Sequence, residues 1–198
     1  MNTKSRQVKI SRETQETQIQ LELNLDGSGQ YEINTPVAFL NHMMESFAKH
    51  GFFDLNIKAE GDTDVDFHHT VEDVAITLGQ AFLKCIGDKK GMTRYGSFTL
   101  PMDEVLTTAA VDFCDRPVLV YNAEIPAGRI GDFDIELVYE WFQALTQSAR
   151  MNLHINVWYG RNRHHMVESM FKALAKAMDQ ATRLDPRVVG VASTKGAL

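Results

Sequence analysis

A short pattern that occurs twice constrains this chain more than any other feature. HHTVED at 68–73 and HHMVES at 164–169 share H-H-x-V-E and lie 96 residues apart. The apolar positions that follow match at the same offset. Val71, Val74, Ala75, Leu78, Phe82 and Cys85 correspond to Val167, Met170, Phe171, Leu174, Met178 and Ala181. Both sets fall at i, i+3, i+4, i+7, i+11 and i+14, the stripe of an amphipathic helix. Upstream, an offset of 98 aligns FLNHMMESFAKHGFFDLNI (39–57) with LVYEWFQALTQSARMNLHI (137–155). Each copy reads as a helix followed by a strand, because Phe53-Leu55-Ile57 and Met151-Leu153-Ile155 alternate with period 2. The two-residue change in offset falls in a connecting loop, where length is tolerated. The 198 residues are therefore expected to form one unit of two pseudo-repeats, approximately 1–92 and 93–198.

Local signals predict helices over 36–50, 70–87, 133–149 and 163–184. Strands are predicted over 6–11, 16–25, 53–60, 94–100, 104–114, 117–123 and 151–158. Thr35-Pro36 is expected to be an N-cap followed by proline at the first helical position. Thr70 with Asp73 resembles a capping box. Leu25-Asp26-Gly27 supplies a turn between early strands. The result is an α+β protein of two similar halves with helices packed on sheet faces.

Composition narrows the classes that remain. Hydrophobic residues make up 44% and charged residues 23%, which argues against disorder and allows a sizeable core. The net charge of −6 argues against nonspecific nucleic-acid binding, and Arg161 and Arg163 beside the second HH do not supply a basic, aromatic-rich surface. No run approaches 18 apolar residues, so no transmembrane helix is expected, and the first residues show no signal-peptide h-region. Cys85 and Cys114 cannot make a four-cysteine zinc site or a disulfide framework, so a cytoplasmic location is expected.

The histidines point to metal chemistry. Consecutive side chains on a helix diverge by about 100°. His69 with Glu72, and His165 with Glu168, are therefore expected to converge at i, i+3. His68 and His164 are left to serve the other half's site or a neighbouring subunit. The 98-residue offset pairs His42 with Glu140. The symmetric expectation is two metal sites, His42, His69, Glu72 and His164 in one, and Glu140, His165, Glu168 and His68 in the other. Imidazole and carboxylate without thiolate suit Mn²⁺, Fe²⁺ or Zn²⁺. His50 either caps the end of its helix, where a cation is favoured, or reaches the site. His154, in the strand MNLHINV, reads as a structural histidine, and Met43, Met44, Met170 and Met178 as core.

Together the motifs resemble the imidazoleglycerol-phosphate dehydratase family. They are Arg12-x-Thr14-x-Glu16-Thr17, the two H-H-x-V-E segments, D-F-D-x-E-L-V at 132–138 and S-T-K-G at 193–196. The resemblance covers essentially the whole chain. It implies internally duplicated split β-α-β units with helices packed between two mixed β-sheets. It implies two Mn²⁺ per active site and a homo-oligomeric 24-subunit shell with active sites between subunits. On the matching positions it implies the same metal ligands, with Glu140 where the family often has histidine. It implies substrate contacts from Glu16, His42, His50, Arg94, Arg116, His164, Lys172, Ser193, Thr194 and Lys195. Glu16, His68, His69, Glu72, His164, His165 and Glu168 become the candidate catalytic residues, with Glu16 the acid/base candidate.

The implied reaction converts imidazole glycerol phosphate to imidazole acetol phosphate in histidine biosynthesis. Its difficulty is that the proton to be lost sits on a carbon bearing hydroxyl, with no adjacent carbonyl. The ring is the alternative electron reservoir. Held as imidazolate between two cations, it can expel hydroxide and leave a diazafulvene-like intermediate whose neighbouring proton is removable. Arg94 and Arg116 are the leading phosphate ligands, since arginine offers planar paired donors. A dinuclear hydrolase would use the same ligands without holding a ring. A metal-storage shell would not need Arg94, Arg116 or the S-T-K-G segment.

Overall fold

A computed structural model describes residues 6–196. The elements run β1 (Gln7–Glu13), β2 (Thr17–Asn24), β3 (Tyr31–Asn34), α1 (Ala38–Gly51), β4 (Asp54–Gly61) and α2 (His68–Ile86). They continue with β5 (Tyr95–Met102), β6 (Val105–Asp112), β7 (Val118–Asn122), β8 (Arg129–Ile130), β9 (Phe133–Asp134), α3 (Glu136–Ala149), β10 (Asn152–Tyr159) and α4 (Arg163–Thr182). One sheet has the order β1-β2-β4-β3 and the other β5-β6-β10-β7. In each, the fourth strand joins in parallel and the others are antiparallel. The same order of strands and helices is thus built twice, an α+β fold with its helices between two mixed sheets.

The strands form where the alternation is cleanest. In β2, Thr17, Ile19, Leu21 and Leu23 face inward and Gln18, Gln20 and Glu22 outward. Inside, α2 packs on the first sheet and α4 on the second, while α1 lies against α4 and α3 against α2. Each helix pair therefore joins one helix from each half. The contact between α2 and α3 is close enough to require glycine. A Cβ at Gly79 would lie 2.7 Å from the Ser148 Cβ and 2.9 Å from the Leu145 carbonyl oxygen. Phe47, Phe53, Phe82, Trp141, Phe142 and Phe171 fill the centre, with the Trp141 and Phe171 ring centroids 4.4 Å apart. Burying each such side chain contributes about 1.5–3 kcal/mol.

Several local expectations are corrected. Strand β3 is not among the predicted strands, since four mostly exposed residues carry no alternation long enough to read. Residues 133–134 form β9 paired with β8, so α3 starts at Glu136 rather than at 133. Helix α1 starts at Ala38, with no side-chain cap. Thr35 instead closes the turn before it. Its hydroxyl accepts from the Val37 N–H at 3.1 Å and donates to Asn41 Oδ1 at 2.7 Å. Thr70 is no cap either, because α2 already begins at His68. Asp66 Oδ1 accepts from the His68 N–H at 2.7 Å. Asp73 faces Arg12 and Thr17 instead of its own helix terminus. His154 lies exposed on the outward side of β10, away from the core.

Candidate metal and substrate site

Pairing helices across the halves brings the first donors together. Asn162 caps α4, its side chain accepting from the His164 and His165 N–H groups. His164 Nε2 then lies 3.1 Å from Glu168 Oε2. His42 on α1 brings its Nε2 to 3.5 Å from the same oxygen. The donor atoms of His42, His164 and Glu168 all lie within 4.8 Å of one another. Among the described residues no other such group of three is formed. Glu168 is buried, and its Oε1 pairs with Lys172 Nζ at 2.7 Å. Burial pushes its carboxyl up, but Lys172, His42 and His164 outweigh this and hold it below its ordinary value. Two imidazoles and a carboxylate are a donor set that fits a hard or borderline divalent cation.

The helical pairing differs from expectation. Glutamate is long enough to meet the histidine one full turn back, so the partners are i, i+4 and not i, i+3. His68 Nε2 stands 3.9 Å from Glu72 Oε2 in the first half. His68 and Glu140 line one cavity of about 550 Å³, with Asp66, Arg129, Asp132 and Asp134 also in its wall. His68, Glu72 and Glu140 are thus the counterparts of His164, Glu168 and His42. His69 and His165 turn away from their helix's glutamate. The planes of each adjacent pair cross at 83° and 85°. The two ligand sets expected from the sequence are therefore not brought together in one chain. Each exchanges its i, i+3 pair for an i, i+4 pair.

Carboxylates from other elements hold the divergent rings. His69 Nδ1 meets Asp62 Oδ2 at 3.0 Å, and its Nε2 lies 3.7 Å from Glu16 Oε1. His165 Nδ1 meets Glu104 Oε2 at 2.9 Å. The hydrogen bond to Asp62 raises the His69 pKa above its ordinary value, and the bond to Glu104 does the same for His165. Glu104 falls to about 2, chiefly through His165, helped by the Asn162 N–H. A carboxylate on Nδ1 fixes the tautomer and presents Nε2 outward, as it does for metal-binding histidines. Sequence reading missed Asp62 and Glu104. The one available signal was that each belongs to an acidic segment flanking a strand end.

The expected substrate contacts divide between two places. Arg94, Arg116, Ser193, Thr194 and Lys195 line one cavity of about 730 Å³, with Tyr95 and Ala192. Arg94 is 8% exposed and bonded to both Asp112 oxygens, at 2.6 and 3.0 Å, and to the Ala192 carbonyl at 2.8 Å. It braces the wall. Arg116 and Lys195 are exposed and have no ion-pair partner among the described residues. Lys172 belongs to the other place, beside Glu168. Burial lowers the His50 pKa, and the ammonium groups of Lys172 and Lys176 on α4 lower it further, but no hydrogen bond or ion pair among the described residues brings it to Glu168. The helix end itself is closed by the Phe52 N–H bonding to the Ala48 carbonyl.

Known proteins resemble the chain over most of its length. The family model described as Imidazoleglycerol-phosphate dehydratase matches residues 35–178. A relative of that name from Geobacter metallireducens is 56% identical over 194 residues, covering 98% of this chain and all of the relative. The crystal structure of imidazoleglycerol-phosphate dehydratase from Staphylococcus aureus superposes with a TM-score of 0.82 at 39% identity, covering 90% of this chain and 99% of that one. The Pyrococcus furiosus protein, solved in complex with (S)-C348, gives 0.82 at 34% identity, covering 96% of this chain and all of that one. This chain belongs to the imidazoleglycerol-phosphate dehydratase family, a family of hydro-lyases.

Proposed function

We propose that the chain dehydrates imidazole glycerol phosphate to imidazole acetol phosphate in histidine biosynthesis, with two Mn²⁺ bound per active site. The observation that carries this is the convergence of His42, His164 and Glu168 from opposite halves of the chain. These three would hold one ion, and His68, Glu72 and Glu140 the other. His69 and His165, turned outward on their carboxylate tethers, are the donors offered to a neighbouring copy. The working form is then a homo-oligomer, a 24-subunit shell in the cytoplasm, built from single units of two pseudo-repeats. No described helix is long and apolar enough to cross a membrane.

Ions held by these residues would supply positive charge that favours loss of a ring proton. The remaining steps belong to the side chains. Glu16, half exposed and 3.7 Å from His69, is the group that moves a proton at the side-chain carbons. Arg116 and Lys195, with the Ser193 and Thr194 hydroxyls, hold the phosphate, while Arg94 keeps that wall in shape. Lys172 adds a donor beside Glu168, and His50 is proposed as a further substrate contact.

The test is product analysis with the Mn²⁺-loaded protein and imidazole glycerol phosphate. A ketone that retains its phosphate is expected, lost on chelation and restored with Mn²⁺. Release of inorganic phosphate would favour hydrolysis instead and would overturn the proposal.

A further inference from the structure

The segment Arg12-x-Thr14-x-Glu16-Thr17 forms the tip of the β1–β2 hairpin, and an acid on α2 grips it from below. Asp73 is 6% exposed. Its Oδ1 pairs with Arg12 Nη2 at 2.8 Å, and its Oδ2 accepts from the Thr17 hydroxyl at 2.5 Å. One carboxylate therefore ties both strands of the hairpin to the helix that carries His68, His69 and Glu72.

Between the two anchors, the tip backbone is also bonded. The Thr14 hydroxyl accepts from the Glu16 N–H at 3.1 Å and from the Thr17 N–H at 2.9 Å. The Glu16 carbonyl accepts from the Asp62 N–H at 3.1 Å. Asp62 is the residue whose carboxylate holds His69 Nδ1. The main chain of Glu16 is thus fixed on both sides while its carboxylate projects half exposed towards His69. A fixed backbone carrying an unpinned acid is the arrangement that proton transfer at a substrate carbon needs.

The second half shows that the fold does not require an ion pair here. Ser169 occupies the position of Asp73 at the 96-residue offset. It pairs with Thr107 of β6, hydroxyl to hydroxyl, at 2.6 Å. A neutral pair thus ties helix to sheet there. The acid on that hairpin, Glu104, is bound directly by the Asn162 N–H and by His165. The charged clamp occurs only in the half whose hairpin acid is not pinned. It also carries a cost, because the Asp73 charge is buried and the Arg12 Nε is buried without a hydrogen-bond partner.

We propose that Arg12, Asp73 and Thr17 are positioning residues that hold the Glu16 hairpin in register with α2 for the dehydration step. This rests on the acid/base reading of Glu16 given above. The test measures kcat, KM, Mn²⁺ per chain and particle size for Asp73→Ser, which copies Ser169, and for Thr17→Val, which removes a single hydroxyl. Asp73→Ser should lower kcat about tenfold to a hundredfold, the usual cost of a misplacement near 1 Å, with KM within about threefold. Thr17→Val should lower kcat less, and it carries the test if Asp73→Ser fails to assemble. Metal content and particle size should stay at wild-type values. In a Glu16→Gln background, Asp73→Ser should add less than about a twofold loss, because both act on one group. Arg12→Lys should retain more turnover than Arg12→Met. Unchanged kcat in Thr17→Val and Asp73→Ser, or an equal fold-loss in the Glu16→Gln background, would overturn the clamp alone. Wild-type turnover by Glu16→Gln itself would instead overturn the role of Glu16, and the clamp's purpose with it.

Discussion

The two halves repeat one backbone plan but handle charge differently. In the second, Glu168 is 9% exposed at its side chain and tied to Lys172, with two histidines on its other oxygen. In the first, Glu72 is 43% exposed and stands 3.9 Å from His68. The position matching Lys172 is Ile76. A buried carboxylate needs a compensating cation, and only one half supplies it within the chain. The lesson is that duplication copies where donors sit, while the side chains around them decide how tightly each set is assembled.

The comparison is most exposed to the loss of each glutamate. Glu168→Ala should reduce turnover on the order of a thousandfold, about 4 kcal/mol of barrier, and roughly halve the metal content. It should also destabilise the metal-free chain by about 1–3 kcal/mol, because Lys172 loses a charge-assisted partner. Glu72→Ala should match it in turnover but shift stability by only about 0.5 kcal/mol, as exposed substitutions do. Denaturant unfolding of both variants, at one protein concentration, gives the answer. Equal destabilisation would erase the asymmetry.

Glu140 stands where the other half has His42. Glu140→His should keep metal content at the wild-type level, and Glu140→Ala should lower occupancy of one ion, with a loss of at least the roughly tenfold to hundredfold that removing a ligand's hydrogen-bond partner costs. Metal analysis after gel filtration distinguishes them. An alanine variant that binds and turns over like the parent would remove Glu140 from the site.

The sequence revealed the plan of the fold because that plan is periodic. The matched stripes of α2 and α4, and the alternation in β4 and β10, are each long enough to read. Short pieces such as β3 and the β8–β9 pair carry no period. His42, His164 and Glu168 are each legible as candidate donors, but their grouping is not. Choosing between i, i+3 and i, i+4 depends on side-chain length and on what else claims each ring. His69 and His165 are claimed by Asp62 and Glu104, which reach them from other elements. Arg12 and Thr17 stand inside the Arg12-x-Thr14-x-Glu16-Thr17 motif, yet the sequence pairs their partner Asp73 with Thr70 as a capping box.

Those tethers give a pH test of the comparison. Glu104 is depressed to about 2, so its contribution is present above its ordinary value of 4.5 and is lost as pH falls towards 2. His165 is raised, so its contribution is full below 6.5 and is lost as pH rises through its folded value. The pair is therefore strongest between about pH 4.5 and 6.5. Glu104→Gln should return His165 towards 6.5 while leaving His69 raised by Asp62. Imidazole proton NMR of the metal-free chain follows both rings. A shift in His69 as large as that in His165 would show that the two tethers are not independent.

The smallest expected effect concerns a local device that both halves share. Asp66 and Asn162 lie 96 residues apart, and each side chain accepts from the N–H of the first histidine of its pair, at 2.7 and 2.9 Å. Both satisfy an amide that the helix leaves without a partner. Asp66 adds a negative charge at the positive end of α2, worth about 0.3–1 kcal/mol beyond the hydrogen bond. Asn162 adds a second, longer bond from the His165 N–H at 3.4 Å. Alanine at either position should cost about 1 kcal/mol. The loss at Asp66 should shrink in high salt and the loss at Asn162 should not, because only the first includes a screened charge. Unfolding of the metal-free variants at low and high ionic strength measures the difference. Identical salt responses would mean that the aspartate acts by its hydrogen bond alone, and that the two caps are equivalent in kind as well as in position.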